Sequence, residues 1–510
     1  MPKHTNSKTI AKNTIMLYFR MMLSMLIGLF TSRVILQTLG VTDYGIYQTV
    51  GGIVGFLGFL NNALTTGSSR FLTFELGKGD TDKLSKTFST TLIIHIALAL
   101  LIIIVAETFG LWFLYNKLII PADRFIAAVY CYHLSVLTAA VGITQVPYGA
   151  SVIAHERMNI YAYTGIADVV LKLLIVYLLY ISPMDKLKFY SLLLAIQSLG
   201  IMLFERYYCI SRFSETRYKF IFDKELLKQI GSFSGWSLFA NLSIALNTQG
   251  MTILTNMFFS PSVVTARAVA GSVSNAANQF VQNFRTAVNP QIVKTYAAGD
   301  REASKNLLLS STRYSFYLMF LLGFPILLLA NQILYYWLGQ VPDYAPVFLQ
   351  LTIVQALFSI FDSSFYVALY AKGRLKENAL ISPLVGFIQF PVVYILFRQG
   401  YSPVALSWAA VVSYAILGLV IKPVLICRIV GYDYKEILVK TVLPSLKVVI
   451  VASILPIVLR NILIEENFLN FMIIGVSTVC IVIVVIYYVG LDGNIRKKLK
   501  NYIHEKLKSL

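Results

Sequence analysis

Charged residues are scarce in this chain. They make up 13% of its 510 residues, against roughly a quarter in soluble globular proteins, too few to cover a water-facing surface of this size. Acids are the scarcer sign, 24 against 43 Lys and Arg. There are four cysteines, Cys131, Cys209, Cys427 and Cys480, each inside or beside an apolar run and without metal or disulfide spacing; neither a bound metal nor a disulfide framework is expected. Of five histidines, only His95 and His133 fall in apolar runs, isolated from any partner motif, which argues against an acyltransferase chemistry built on an intramembrane histidine. The longest polar interval, near 206–229, is too short for a soluble domain, and a polysaccharide polymerase with a large external loop finds no such loop here.

What the chain does have is hydrocarbon. Hydrophobic residues are 57% of the total and mean hydropathy is +0.70. Apolar runs of the roughly 20 residues needed to cross a bilayer recur throughout. Spans are expected at 13–37, 43–66, 87–107, 125–145, 159–182, 189–206, 231–257, 263–285, 307–330, 344–367, 378–397, 402–427, 441–460 and 468–490, which makes fourteen. The net charge of +19 forms no single patch, so nucleic acid is not expected as a partner. With Arg206, Arg285 and Arg460 given to the loops they adjoin, the termini and even-numbered loops hold 30 Lys and Arg and the odd-numbered loops 6. The positive-inside rule then puts both termini in the cytoplasm. The first span carries Arg20 and Arg33 and no small-residue cleavage site, and is expected to remain as a span.

Two charged interruptions repeat. At an offset of 220, Gly79, Asp80, Asp82 and Lys86 fall on Gly299, Asp300, Glu302 and Asn306, and Thr90 and Thr91 on Ser310 and Ser311. At an offset of 217, AHERMN at 154–159 falls on AKGRLK at 371–376. The first match follows the second span of each half and the second follows the fourth. The expected fold is therefore an all-α polytopic membrane protein of about fourteen helices, in which two pseudo-symmetric six-helix bundles, 1–213 and 229–430, are joined by a cytoplasmic linker, 214–228. Two further helices and a basic tail follow at 431–510. Six spans is an even number, so the halves share one orientation, a repeat type found in transporters.

Polar residues inside the spans are the functional signal. The seventh span carries Asn241 and Asn247 among many hydroxyls, and the eighth carries Asn275, Asn278, Gln279 and Gln282 at i, i+3, i+4 and i+7, one helical face. Unpaired amides in hydrocarbon cost several kcal/mol each, so a hydrated cavity is the expected surrounding. Arg20, Arg33 and Arg267 are candidate cavity cations, with a rim anchor as the competing reading of the last two. Asp168 and Lys172, one turn apart, make either a structural ion pair or a carboxylate that takes a proton or sodium ion beside a lysine. Asp362 is a second candidate for ion coupling. Arg313, Lys422 and Lys447 lie near span ends and are expected to snorkel to headgroups.

The opening NTIMLYFRMMLSMLIGLFTSRVILQTLGVTDYGIYQTV, the stretch TTGSSRFLTFELGKGD with its partner RTAVNPQIVKTYAAGD, and the fourteen-span pattern resemble the Wzx-type polysaccharide flippases of the multidrug/oligosaccharidyl-lipid/polysaccharide (MOP) exporter superfamily, over nearly the whole chain. That resemblance implies paired MATE-like bundles around a cationic cavity. It also implies a multi-pass protein of the bacterial inner membrane, expected as a monomer, that carries undecaprenyl-pyrophosphate-linked oligosaccharide across for O-antigen or capsule assembly. Membrane lipids and other polysaccharide assembly proteins are the implied partners, and no cofactor or catalytic residue is implied. Arg20, Arg33 and Arg267 would grip pyrophosphate, while Asn241, Asn247, Asn275, Asn278 and Gln279 would meet sugar hydroxyls. The chain departs from ion-coupled relatives in having no acid in its first span, which leaves coupling to a proton or sodium gradient resting on Asp168 and Asp362. A lipid II flippase and a multidrug extruder are the neighbouring alternatives, although an extruder of cations should be lined by acids and aromatics.

Overall fold

A computed structural model describes residues 7–501 except 156, 158, 220, 222, 375, 464, 466, 494, 498 and 499, with the side chains of 7–21, 23, 24, 63, 66, 159, 162, 230–237 and 376–379 also outside the description. Every long element among these residues is a helix: α1 (Ser7–Lys78), α2 (Thr81–Val105), α3 (Leu111–Lys117), α4 (Phe125–Ala154), α5 (Asn159–Ile181), α6 (Lys186–Arg212), α7 (Lys224–Ala245), α8 (Met251–Phe258), α9 (Pro261–Ala297), α10 (Arg301–Leu328), α11 (Ala330–Leu338), α12 (Ala345–Ala371), α13 (Lys376–Arg398), α14 (Ala405–Ile416), α15 (Lys422–Val430), α16 (Tyr434–Ile437), α17 (Leu443–Ile462) and α18 (Phe468–Val485). Single π-turns join α2 to α3, α7 to α8, α14 to α15 and α16 to α17. Among the described residues, eleven helical runs are long and apolar enough to cross a membrane. Helix α1, to which the first run belongs, covers two expected spans, and Gly40 (φ 78°) breaks it between them. The two spans outside that set, 231–257 and 263–285, are helical as α7–α8 and α9 and carry the amides and hydroxyls named above.

The helices group into two compact units, Met1–Ala268 with Gly386–Pro403, and Val269–Val385 with Val404–Leu510. In the first, the second arm of α1 packs on α4 and α7, and α4 also packs on α2 and α6. Ile46, Val50, Ile53 and Val54 of α1 meet Ala127, Ala128, Cys131 and Tyr132 of α4 and Leu187 of α6 in one buried cluster. A π-turn disturbs the helix's own hydrogen-bond ladder, and at Ala106–Gly110 the Ala106 carbonyl accepts from the buried Tyr132 hydroxyl at 2.6 Å. A Cβ at Gly110 would overlap that hydroxyl, so the residue must be glycine.

Both ends of this unit are tied. At one end, Arg124 Nε and Nη2 donate to the Asp43 carboxylate at 2.7 and 2.5 Å, while Nη1 donates to Asp185 Oδ2 at 2.7 Å. Asp185 also caps α6 by accepting from the Lys188 amide. Burial alone would raise the Asp185 pKa, but Arg124 and that amide together bring it below its usual range. At the other end, the segment expected as a linker is docked. Glu215 and Thr216 are buried, Glu215 Oε1 lies 2.6 Å from His155 Nε2, and the His155 ring stacks on Phe213. Lys219 and Asp223 donate their amides to Ser89 and Thr90 of α2. Asp223 caps α7 and pairs with Lys86 at 3.0 Å; the Leu226 amide and Lys86 hold its carboxyl below the usual range.

In the second unit, α12 packs on α10, where Phe316 meets Phe361, and on α14–α15. The α17–α18 hairpin lies against α10. Arg313 of α10, expected to snorkel, is buried instead and donates from Nη2 to Asp492 Oδ2 at 2.5 Å, past the end of α18.

The repeat is geometric as well as textual. Gly79 and Gly299 both have positive φ, 76° and 89°, conformations a side chain resists, and the following aspartates each accept the amide three residues on. The Arg157 amide donates to Val152 O and the Arg374 amide to Leu369 O, each at 3.1 Å. Lys86 pairs with Asp223 in one unit, and in the other Lys305 pairs with Glu436 at 2.8 Å. Arg206 lies over Tyr148, and Lys422 over Tyr366.

Candidate functional site

Each unit has a polar site inside expected spans. The first is a cavity of about 570 Å³ in the first unit. Its walls include Asn61 of α1, Ser135 and Thr138 of α4, Asp168 and Lys172 of α5, and Gln197 of α6. Gly51, Gly55 and Gly58, at near-helical steps on α1, also line it. The i, i+4 spacing brings Lys172 Nζ within 2.7 Å of Asp168 Oδ2, while Gln197 Nε2 donates to Asp168 Oδ1 at 2.6 Å. Asp168 is thus held from two helices, its charge balanced by Lys172. Both charged side chains keep partial access to the cavity. The site can hold hydroxyl-rich or zwitterionic groups against a carboxylate, an ammonium and an amide.

The second site lies in the second unit. Arg285 of α9 is buried and donates from both terminal nitrogens to Ser363 of α12, one to the hydroxyl and one to the carbonyl. Lys422, at the start of α15, is 2% exposed and places Nζ 3.1 Å from Asp362 Oδ1. Asp362 lies within electrostatic reach of Arg285. Two cations and one carboxylate therefore lie together where α9, α12 and α15 meet. Both cations correct the sequence reading. Arg285 is inside its helix and buried, although its place at the expected span end assigned it to a loop; Lys422 pairs within the protein and does not reach for headgroups. Arg285 continues the spacing of Asn278 and Gln282 by seven and three residues, and that periodicity is the signal that would have found it. Lys422 had no such signal, because its partner is sixty residues away in sequence.

The remaining expected residues are dispersed. The Arg20 side chain lies outside the described residues, and Arg33 is half-exposed on α1. Arg267 of α9 is half-buried, and its Nη1 donates to Thr252 Oγ1 of α8 at 2.8 Å within the first unit. Asn241 is half-buried in α7. Asn247 donates to the Ser243 carbonyl, and its side chain abuts the α13 backbone at Gly386, where no Cβ would fit. On α9, Asn275 and Gln279 are exposed, and Asn278 donates to Ser274 O at 3.1 Å.

No protein-family model and no curated protein matches the chain significantly. Among solved structures, the chain is similar to the lipid II flippase MurJ in an inward closed conformation, with a TM-score of 0.71 and 14% identity over 93% of this chain and 99% of that one. It is also similar to an inward-facing multidrug resistance MATE family transporter of the MOP superfamily, with a TM-score of 0.66 and 14% identity over 78% and 92% of the two chains. A MATE in its bent conformation gives 0.51 and 13% over 77% and 95%. At such identities the likeness is one of fold. The chain has the all-helical membrane fold shared by the MurJ flippase and MATE transporters.

Proposed function

We propose that this protein is a transporter that moves an undecaprenyl-pyrophosphate-linked oligosaccharide repeat unit from the inner to the outer leaflet of a bacterial cytoplasmic membrane. The observation that carries the reading is the likeness to a lipid II flippase over 93% of this chain and 99% of that one. Cations buried within spans add to it, since arginine and lysine suit a pyrophosphate crossing a low-dielectric region. In this reading the two halves, 1–213 and 229–430, give alternating access while the polyprenyl tail stays in lipid. Both termini lie in the cytoplasm, Arg20, Arg33 and Arg267 attract the pyrophosphate, and the amides of the seventh and eighth spans meet the sugars.

The test is deletion of the gene followed by leaflet-resolved analysis of lipid-linked intermediates. Complete repeat units accumulating on the cytoplasmic side support flipping; unpolymerised units accumulating outside would indicate a polymerase instead. A second reading, that lipid II itself is the cargo, draws on the same structural likeness. Rescue of a strain depleted of its lipid II flippase would select it.

A further inference from the structure

Two carboxylates stand well inside expected spans, and each is already met by a lysine of its own unit. Asp362 faces Lys422 at 3.1 Å, and Asp168 faces Lys172 at 2.7 Å. We infer that these tethered ammonium groups, Lys422 above all, occupy the place a mobile cation would take at each carboxylate. Neither carboxylate then binds sodium as part of the cycle, and Lys422 is the residue that sets this exclusion.

Electrostatics argue it. A buried ammonium is strongly unfavourable without compensating partners, and Lys422, 2% exposed, has the Asp362 carboxylate 3.1 Å away. Arg285 adds a second cation on the neighbouring Ser363, within electrostatic reach of Asp362. A sodium ion approaching Asp362 would meet repulsion from both cations, which is strong where water is excluded. The hydroxyls of Tyr366, under Lys422, and Tyr414, within electrostatic reach of Asp362, add no negative charge at neutral pH. At Asp168 the described groups are one carboxylate, one ammonium and the Gln197 amide, whose charges sum to zero, and each carboxylate oxygen already accepts from one donor.

If the transport reading above holds, this makes the protein a carrier of an anionic head group that does not exchange it for sodium. An inside-negative membrane potential then favours outward movement of the pyrophosphate, and a reaction that consumes the product at the outer leaflet sustains net flux.

The test is isothermal titration of the purified protein in lipid nanodiscs with sodium chloride, against choline chloride. The wild type should give no saturable sodium heat. Lys422→Met should gain a saturable site, at least about tenfold tighter than any in the wild type, and the double variant Lys422→Met/Asp362→Asn should lose it again. The double variant removes both members of the pair, so a folded double variant separates exclusion from misfolding. Saturable sodium binding to the wild type that Asp362→Asn or Asp168→Asn abolishes would overturn the inference, as would a folded Lys422→Met that gains no site. These readouts need no transport. In proteoliposomes, flipping of a fluorescent polyprenyl-pyrophosphate glycan should follow a potassium-diffusion potential and ignore a sodium gradient; acceleration by a sodium gradient would also overturn it. Absence of any flipping in that assay would count against the proposed function and leave the binding result standing.

Discussion

Single residues hold this fold together where sequence offers least warning. Arg124 ties Asp43 and Asp185, from α1 and the loop before α6, and the Asp43 side chain is only 11% exposed. Arg124→Gln should strand it and lower stability by about 3 kcal/mol, read as a fall in the apparent melting temperature in detergent, whereas Arg124→Lys should recover part of the loss through one contact in place of a fork. A melting curve unchanged in Arg124→Gln would show the clamp to be incidental. Which residues were legible follows from where their partners sit. Asp168 and Lys172 are four apart on one helix, and their pairing can be read from spacing alone. Arg285, Arg313 and Lys422 find Ser363, Asp492 and Asp362 on other elements, so a rule that assigns cations near span ends to loops or headgroups misplaces all three.

At the scale of elements, the repeated turn was visible because its chemistry is local: a glycine with positive φ, then an aspartate cap. Gly299→Ala should cost about 1–2 kcal/mol through the left-handed backbone alone, detectable as faster proteolysis or hydrogen exchange at the start of α10. The π-turns were not visible, since the sequence AETFG carries no mark of the Tyr132 hydroxyl that satisfies it from α4. Gly110→Ala should destabilise by about 1–3 kcal/mol by overpacking, and pairing it with Tyr132→Phe, which removes the overlapped oxygen, should return part of that; strict additivity would mean the two sites do not touch. The dock between α10 and α16 carries a pH signature. Lys305 and then Lys440 hold Glu436 below its ordinary 4.5, so its contribution is complete above that pH and is lost as pH falls through the depressed value. Glu302 and Glu436 hold Lys305 above 10.5, so its share is complete below that pH and is lost as pH rises through the raised value. Protection of the α16 amides, corrected for intrinsic exchange, should therefore stay flat from about pH 5 to 10 and decline on acidification, with Glu436→Gln removing the acid limb.

At the scale of the whole molecule, the expectation of water within the spans can be checked directly. Asn275 and Gln279 are exposed on α9, and exposure within a span means contact with either lipid or water. In a variant with Cys427 and Cys480 replaced by serine, and with Cys131 and Cys209 left buried, Asn275→Cys and Gln279→Cys should react with a membrane-impermeant thiol reagent. Silence at both positions, with a rim cysteine labelling normally, would place that face against lipid. The helical class, the approximate span count and the repeated turn were all readable from hydropathy and loop chemistry. The content of each polar site was not, because it depends on which helices become neighbours. The Arg313–Asp492 bridge has a last consequence for engineering. Although the final hairpin lies outside the twofold repeat, trimming the protein before Tyr434 to obtain a minimal twelve-span version would leave a guanidinium stranded on α10. The shortened gene product should precipitate or be degraded unless Arg313 is replaced by an uncharged residue in the same step.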